Sequence, residues 1–135
     1  MKGTTHPKVL RTKDIFSDRV KNTAGEDLGK IEELVIDVNT GRVAYAVLSF
    51  GGVLKMGNKL FAIPWQALQV DPQNKRFILS VDKARLENAT GFDKDNWPDM
   101  ADTSWGTRIF SYYGAAPYWE TDKEEKTLRS GGGGL

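Results

Sequence analysis

The side chains in this sequence that could do chemistry are few, and their spacing argues against a catalytic site. Glu26, Asp27, Glu32 and Glu33 include possible carboxylate pairs for acid–base work. Neighbouring residues in a strand point to opposite faces of a sheet, however, and no second catalytic group accompanies these carboxylates. We therefore expect a solvated strand face here rather than an active site.

A second stretch, DVNTGR from Asp37 to Arg42, places oxygen-bearing side chains at alternate positions, as a calcium loop does. The EF-hand loop also needs glycine at its sixth position and a bidentate glutamate at its twelfth. This chain has Arg42 and Leu48 at those two positions. The favoured interpretation is a tight turn in which Gly41 adopts the positive φ required for the return into the next strand.

Thiol and imidazole chemistry is nearly absent from the sequence. It contains no cysteine, and its one histidine, His6, has no other metal-ligating residues at useful spacing. It also lacks a glycine-rich phosphate loop followed by Lys and Ser or Thr. We therefore expect a protein that is not an enzyme and that has no cofactor and no metal site.

Length and charge favour one small domain, and the lack of cysteine fits a reducing compartment. A chain of 135 residues can bury a single core, and its 19 Lys and Arg nearly balance its 18 Asp and Glu. The first residues are basic but precede no apolar segment, and no run approaches the length of a membrane span. We expect a cytoplasmic protein without membrane insertion.

The elements that must position any site are mainly β-strands. Short β-branched runs separated by Gly, Asn, Asp and Pro predict strands at about 27–38, 43–50, 59–63, 68–70 and 76–81. PWQAL, residues 64–68, predicts a single helical turn, and no helix is needed before residue 83. Leu34, Ile36 and Val38 share one face, and a bulge near Glu32 and Glu33 would return Ile31 to that face. Residues 43–50 are apolar on both faces and are predicted to be central. The expected fold is a small antiparallel barrel of about six strands.

The pattern changes to a helical one after residue 82. Residues 82–89 predict a short helix with Asp82 as its N-cap, and Ala101, Trp105, Ile109 and Tyr112 recur at helical spacing. Residues 97–119 contain half of the chain's aromatic side chains. Ordering this segment requires burial of most of those rings, so we expect a strap that crosses the barrel or a dimer mate.

The motifs NTAGEDLGKIEELVIDVNTGRVAYAVL and FAIPWQAL, in this order, resemble the PRC-barrel family. That barrel is shared by the photosynthetic reaction-centre H subunit and a ribosome-maturation factor, and the resemblance covers roughly residues 14–82. The later YYGAAPYW resembles the C-terminal extension of small stand-alone bacterial members. The resemblance implies a binding or scaffolding module, because we know of no assigned catalytic residues in the family.

Four regions follow from this interpretation. They are a flexible basic arm at 1–13, the barrel at 14–82, a helical and aromatic extension at 83–119, and a disordered tail at 120–135 that is too polar to offset its ordering entropy.

The favoured function is a non-enzymatic interaction or scaffolding module that forms a homodimer, with an unknown protein partner possible. Val53, Leu54 and Met56, in a glycine-rich loop, form a contact surface or fold back onto the barrel mouth. The other candidate contacts lie in the aromatic extension: Trp105, Ile109, Tyr112, Tyr113, Tyr118 and Trp119. The alternative is an RNA- or ribosome-associated protein that contacts phosphates through Lys2, Lys8, Arg11 and Lys13.

Overall fold

The computed structural model describes residues 9–50 and 59–120 as a mainly β fold with short α-helices. The strands are β1 (Arg19–Lys21), β2 (Asp27–Asp37), β3 (Arg42–Ser49), β4 (Lys59–Pro64), β5 (Leu68–Asp71), β6 (Arg76–Leu79) and β7 (Phe92–Asp93). The helices are α1 (Thr12–Ser17), α2 (Lys83–Glu87) and α3 (Thr103–Tyr112).

All seven strands belong to one sheet in the order β5-β6-β1-β2-β3-β4-β7. Neighbouring strands are antiparallel except β1 and β6, which are parallel. The prediction of about six strands in a barrel is therefore only partly correct, because the described sheet has seven strands and is not closed. The added strand β7 contains two residues, too few to show any hydrophobic period, and it pairs only with Lys59 and Leu60 of β4.

The predicted bulge in β2 is confirmed. The pairing of β2 with β3 shifts between Ile31 and Glu33, and Ile31 is buried at 1% exposure. A second shift follows between Val35 and Ile36. The expectation that Ile36 and Val38 face the core with Leu34 is wrong. Both side chains are exposed, Val38 at 89%, because the second irregularity and the turn at the end of β2 take them out of the alternation.

Helix α1 corrects the expectation that no helix is needed before residue 83, whereas the helical turn predicted at residues 64–68 is present at Trp65–Ala67. Helix α1 has six residues, and the buried Ile15 anchors it to the core. Six residues with one buried apolar anchor give no readable helical period. Arg11 lies just before this helix and Lys13 within it, whereas Lys2 and Lys8 lie outside the described residues.

The central position of residues 43–50 is confirmed, since β3 lies between β2 and β4. On the inner face, Ala46 and Leu48 join Phe61 and Ile63 of β4 in the main core. On the outer face Tyr45 joins a second cluster with residues of α3 and the segment that follows it. The two apolar faces of β3 thus reflect two layers of packing.

The short helix predicted after residue 82 is confirmed as α2. The Asp82 carboxylate accepts a hydrogen bond from the Arg85 backbone N–H at 2.8 Å, as expected for an N-cap. Across residues 9–50 and 59–120, none of the helices is long and apolar enough to cross a membrane.

Candidate interaction surface around α3

Helix α3 begins at an aspartate cap and lies directly on the outer face of the sheet. The Asp102 carboxylate accepts a hydrogen bond from the Ser104 backbone N–H at 2.9 Å. Gly106, Ile109 and Phe110 form the buried side of the helix. Gly106 permits the close approach, because a Cβ atom there would lie 2.8 Å from the Tyr45 hydroxyl oxygen and 2.6 Å from a ring carbon of Trp119.

Aromatic rings fill the space between α3, β3 and the last turn of the described chain. Phe110 is at the centre, with ring centroids 5.5 Å from Tyr45, 6.1 Å from Tyr118 and 5.2 Å from Trp119. Tyr45 also contacts Trp105 at 5.3 Å in an edge-on arrangement. Such pairs add to the free energy gained from burying their area. The extension is therefore held by packing against this chain's own sheet.

A polar contact fixes the end of this aromatic cluster to the turn between β2 and β3. The Tyr118 hydroxyl donates to Asp37 Oδ2 at 2.5 Å, and the Arg42 guanidinium lies 4.8 Å from the Tyr118 ring centroid. The hydrogen bond from Tyr118 lowers the pKa of Asp37 below its usual value. Burial, together with the same bond to Asp37, raises the pKa of Tyr118. The pair is thus a carboxylate bound to a neutral phenol near neutral pH.

Beside this contact lies a cavity of about 370 Å³, here called the acidic cavity. It is lined by residues of β2 and its turn, β3, the start of α3 and the final aromatic pair: Val35, Ile36, Asp37, Val38, Asn39, Ala44, Tyr45, Met100, Ala101, Asp102, Thr103, Tyr118 and Trp119. The charged side chains in this lining are Asp37 and Asp102. The cavity therefore combines two carboxylates with an apolar and aromatic wall, and the Arg42 guanidinium lies beside one of the two, Asp37.

A smaller depression of about 190 Å³, here called the aromatic groove, lies on the other flank of α3. It is lined by Ala89, Thr90, Trp105, Arg108, Ile109, Tyr112 and Tyr113. Its single charged side chain is Arg108, which is exposed. The two depressions thus differ in the charged side chains of their linings, which are two carboxylates in the first and one guanidinium in the second.

Tyr112 ties the groove to α2 through three contacts with Arg85. The guanidinium donates to the Tyr112 carbonyl oxygen at 2.6 Å, and the Tyr112 hydroxyl donates to the Arg85 carbonyl oxygen at 2.5 Å. The guanidinium also lies 4.1 Å from the Tyr112 ring centroid. These contacts hold one wall of the groove rigid, which favours specific binding because less motion must be lost.

Two tyrosine hydroxyls are buried without a hydrogen-bond partner in the described structure, those of Tyr45 and Tyr113. Burial raises the pKa of Tyr45 to about 12 and raises that of Tyr113 as well. Their hydroxyls stay protonated in the folded protein, and the lack of a partner makes each a destabilising element that the surrounding packing must offset.

The candidate residues named from the sequence divide between the two depressions. Tyr118 and Trp119 line the acidic cavity, whereas Trp105, Ile109, Tyr112 and Tyr113 line the aromatic groove. Val53, Leu54 and Met56 lie outside the described residues.

The charged members of the site were missed: Asp37, Asp102 and Arg108. Asp37 was interpreted as a turn residue, which is correct, and only the fold brings it to Tyr118. The signal available for Asp102 was its place before a helical pattern, which is typical of an N-cap. Within the described residues, no group of three or more His, Cys, Asp or Glu side chains could hold a metal ion.

Comparison with known families adds one finding. A family model described as PRC-barrel domain matches residues 7–86, which is more than half of the chain and includes β1 to β6. A search of curated proteins gave no match. The matched region ends before α3, so the acidic cavity and the aromatic groove both depend on residues beyond it.

Proposed function

The chain belongs to the PRC-barrel family, and from that premise we propose that it is a non-enzymatic interaction module that forms a homodimer through the surface around α3. The observation that carries the proposal is the aromatic groove. Trp, Tyr and Arg are the residue types that dominate binding energy at protein interfaces. The groove contains all three, and its Trp105 and Tyr112 are only half-buried after the core has been filled.

Exposed apolar side chains extend this surface at the acidic cavity. Ile36 and Val38 lie on its lining, and Val38 is 89% exposed. Exposed apolar side chains clustered at a cavity, unlike scattered ones, are typical of contact surfaces. A partner that covers them would remove apolar area from water on the same side of the molecule as α3.

The chemistry of the two depressions favours binding over catalysis. A general acid or base works best with a pKa near the operating pH. Here the hydrogen bond from Tyr118 lowers the pKa of Asp37, and burial raises the pKa values of Tyr45 and Tyr113, so all three move away from neutrality. These groups are suited to fixed hydrogen bonding and charge pairing.

Sedimentation of the full chain over a wide range of concentration tests the proposal. We expect a monomer–dimer equilibrium that is weakened by Val38→Ser, because the variant removes exposed apolar area at the cavity. Val70→Ser is the matched control, since Val70 is also exposed but lies on β5 at the far end of the sheet order. A chain that stays monomeric at the highest concentration would refute the homodimer.

The same preparation tests the alternative function. RNA association through the basic arm would appear as nucleic acid that co-purifies and is released by salt. Among the described residues of the arm, the Arg11 guanidinium lies 3.3 Å from the Asp14 carboxylate in an exposed pair, which a phosphate contact would have to replace.

A further inference from the structure

Trp97 is an exposed tryptophan beside the aromatic groove, and we infer that each copy places Trp97 in the aromatic groove of a second copy, reciprocally about a two-fold axis. The inference rests on the proposed homodimer and names its anchor and the site that receives the anchor. Trp97 does not line the groove of its own chain.

Trp97 has the properties of a binding anchor. Its side chain is 42% exposed, and it is the one tryptophan among the large apolar side chains that the described residues leave exposed. Tryptophan is among the residue types that contribute most to the free energy of binding at protein interfaces. Covering this ring would therefore contribute more than covering any other exposed apolar side chain in the described part of the chain.

The ring of Trp97 is held in place before any partner binds. Its Nε1–H donates to the Lys94 carbonyl oxygen at 2.9 Å, and its ring centroid lies 5.0 Å from that of Phe92. The N–H keeps this hydrogen bond when the ring is covered, so burial leaves no donor unsatisfied. Little side-chain motion remains to be lost on binding, which favours association.

Trp97 and the groove lie side by side on the same flank of α3. Phe92, which contacts Trp97, follows Thr90 of the groove lining by two residues. Phe92 also packs against the same apolar cluster as Trp105, which lines the groove. A two-fold axis that lies in the interface and passes between two neighbouring patches brings the first patch of each copy onto the second patch of the other. The contact is then made twice, as in isologous dimers.

The groove offers a preformed aromatic site for the exposed edge of this ring. Its volume of about 190 Å³ equals that of roughly six water molecules at about 30 Å³ each, which is room for part of one indole ring. Trp105 and Tyr112 are half-buried on its walls, and aromatic rings pair well edge to face. The hydrogen bonds between Tyr112 and Arg85 fix one of these walls.

Charge favours the same contact. Residues 93–99, which surround Trp97, include three aspartates and one lysine, whereas Arg108 is the one charged residue of the groove lining. Asp95 and Arg108 are both exposed, and neither forms a hydrogen bond or ion pair with another described residue. The Asp99 carboxylate already accepts a hydrogen bond from the Ala101 backbone N–H. Asp95 of one copy therefore faces Arg108 of the other.

The rest of the interface lies around this anchor. A stable interface buries about 800 Å² on each partner, whereas a single aromatic side chain buries about 150–250 Å². Val38, on the other flank of α3, is at the margin of the contact. Val38→Ser should therefore weaken the dimer less than the loss of Trp97 does.

Truncation of the anchor tests the inference. In sedimentation of the full chain, Trp97→Ala should weaken the dimer at least about 100-fold, because an anchor residue is lost from both contacts. Phe16→Ala is the matched control, since Phe16 is an aromatic residue of α1 with a similar exposure of 38%. The control should dimerise as the wild type does, and both variants should keep its circular dichroism spectrum.

A charge exchange gives a second test that leaves the Trp97 ring in place. Asp95→Lys and Arg108→Glu each place like charges opposite one another, so each alone should weaken the dimer about 10-fold or more. The double variant Asp95→Lys/Arg108→Glu restores opposite charges at both contacts and should dimerise within about threefold of the wild type. Both side chains are exposed, so none of these variants should change the melting temperature appreciably.

The outcomes are distinguishable. A wild-type monomer at all concentrations overturns the homodimer and the inference together. A wild-type dimer that Trp97→Ala leaves intact, or that Phe16→Ala weakens equally, overturns the inference alone and leaves the homodimer to another face. A double variant as weak as its two single variants also overturns the inference alone. Loss in Trp97→Ala together with recovery in the double variant supports both.

Discussion

Replacement of Gly106 by alanine tests how closely α3 lies on the sheet. The added Cβ would lie 2.6 Å from a ring carbon of Trp119 and 2.8 Å from the Tyr45 hydroxyl oxygen. Both distances are well below the roughly 3.5–4.0 Å of a normal contact between carbon atoms. Neither ring can swing away freely, because Trp119 packs on Phe110 and Tyr118, and Tyr45 packs on Phe110 and Trp105.

Two opposing effects decide whether Gly106→Ala raises or lowers the free energy of unfolding. Alanine is a better helix former than glycine by about 1 kcal/mol, whereas an extra methyl group in a tightly packed site costs about 1–3 kcal/mol. The steric cost should lie toward the upper end of that range, since two unrelated rings must move. We therefore expect Gly106→Ala to lower the free energy of unfolding by about 1–2 kcal/mol.

Urea denaturation followed by tryptophan fluorescence measures the change, with Ser104→Ala and Thr107→Ala as matched controls. Those two positions lie on the exposed face of α3, where alanine should be neutral or slightly stabilising. The Gly106→Ala loss should also shrink in a Tyr45→Phe background, where one of the two close atoms is gone. A Gly106→Ala protein more stable than the wild type would show that the helix lies farther from the sheet.

Three further outcomes follow from the tyrosines. Tyr45→Phe should raise the free energy of unfolding by about 1 kcal/mol, because it removes a buried hydroxyl without a partner; a loss in urea denaturation would contradict that assignment. Tyr118→Phe should lower stability by about 1–2 kcal/mol at neutral pH, because it removes a hydrogen bond to a carboxylate. The folded-state pKa of Asp37 is lowered, so this loss should be present above pH of about 4 and disappear as the pH falls below that value; denaturation at a series of acidic pH values checks it. Burial raises the pKa values of Tyr45, Tyr113 and Tyr118 in the folded protein. Their contribution to the free energy of unfolding should therefore be fully present below pH of about 10 and fall as the pH rises above that value. Between pH of about 10 and about 12, Tyr45 should contribute a fall in the free energy of unfolding of about 1.4 kcal/mol per pH unit. This contribution should be absent from the Tyr45→Phe variant.

Much of the sheet could be predicted from the sequence because its signals are local. Gly41 has φ of 78°, as the predicted turn requires, and the bulge near Glu32 is visible as a break in alternation. The strand order of the sheet was not predictable in this way. The pairing of β1 with β6 joins residues that are far apart in the sequence, and no local pattern indicates it. Helix α1 was not predicted because its six residues are too few to show a helical period.

The aromatic residues of the candidate site could be predicted from the sequence, whereas its charged residues could not. The density of aromatic residues near Trp105 and Tyr118 indicated a packed extension, because such a segment is ordered only if its rings are buried. The partner of Tyr118 could not be found, since Asp37 lies 81 residues earlier and each residue alone has a simpler interpretation. Arg108 could not be singled out either, because only the fold of α3 places it beside Trp105 and Tyr112 in the aromatic groove.

The parallel pairing of β1 with β6 sets the time at which the sheet forms as well as its order. During synthesis the hairpin of β2 and β3 becomes available first, but β1 has only one side paired until Arg76–Leu79 has emerged. The chain between β1 and β6 must lose its conformational entropy before the contacts between these strands can form. Refolding should therefore be limited by this pairing rather than by closure of the β2–β3 hairpin. A nascent chain that stops before β6 would therefore expose an unpaired edge next to its first strand.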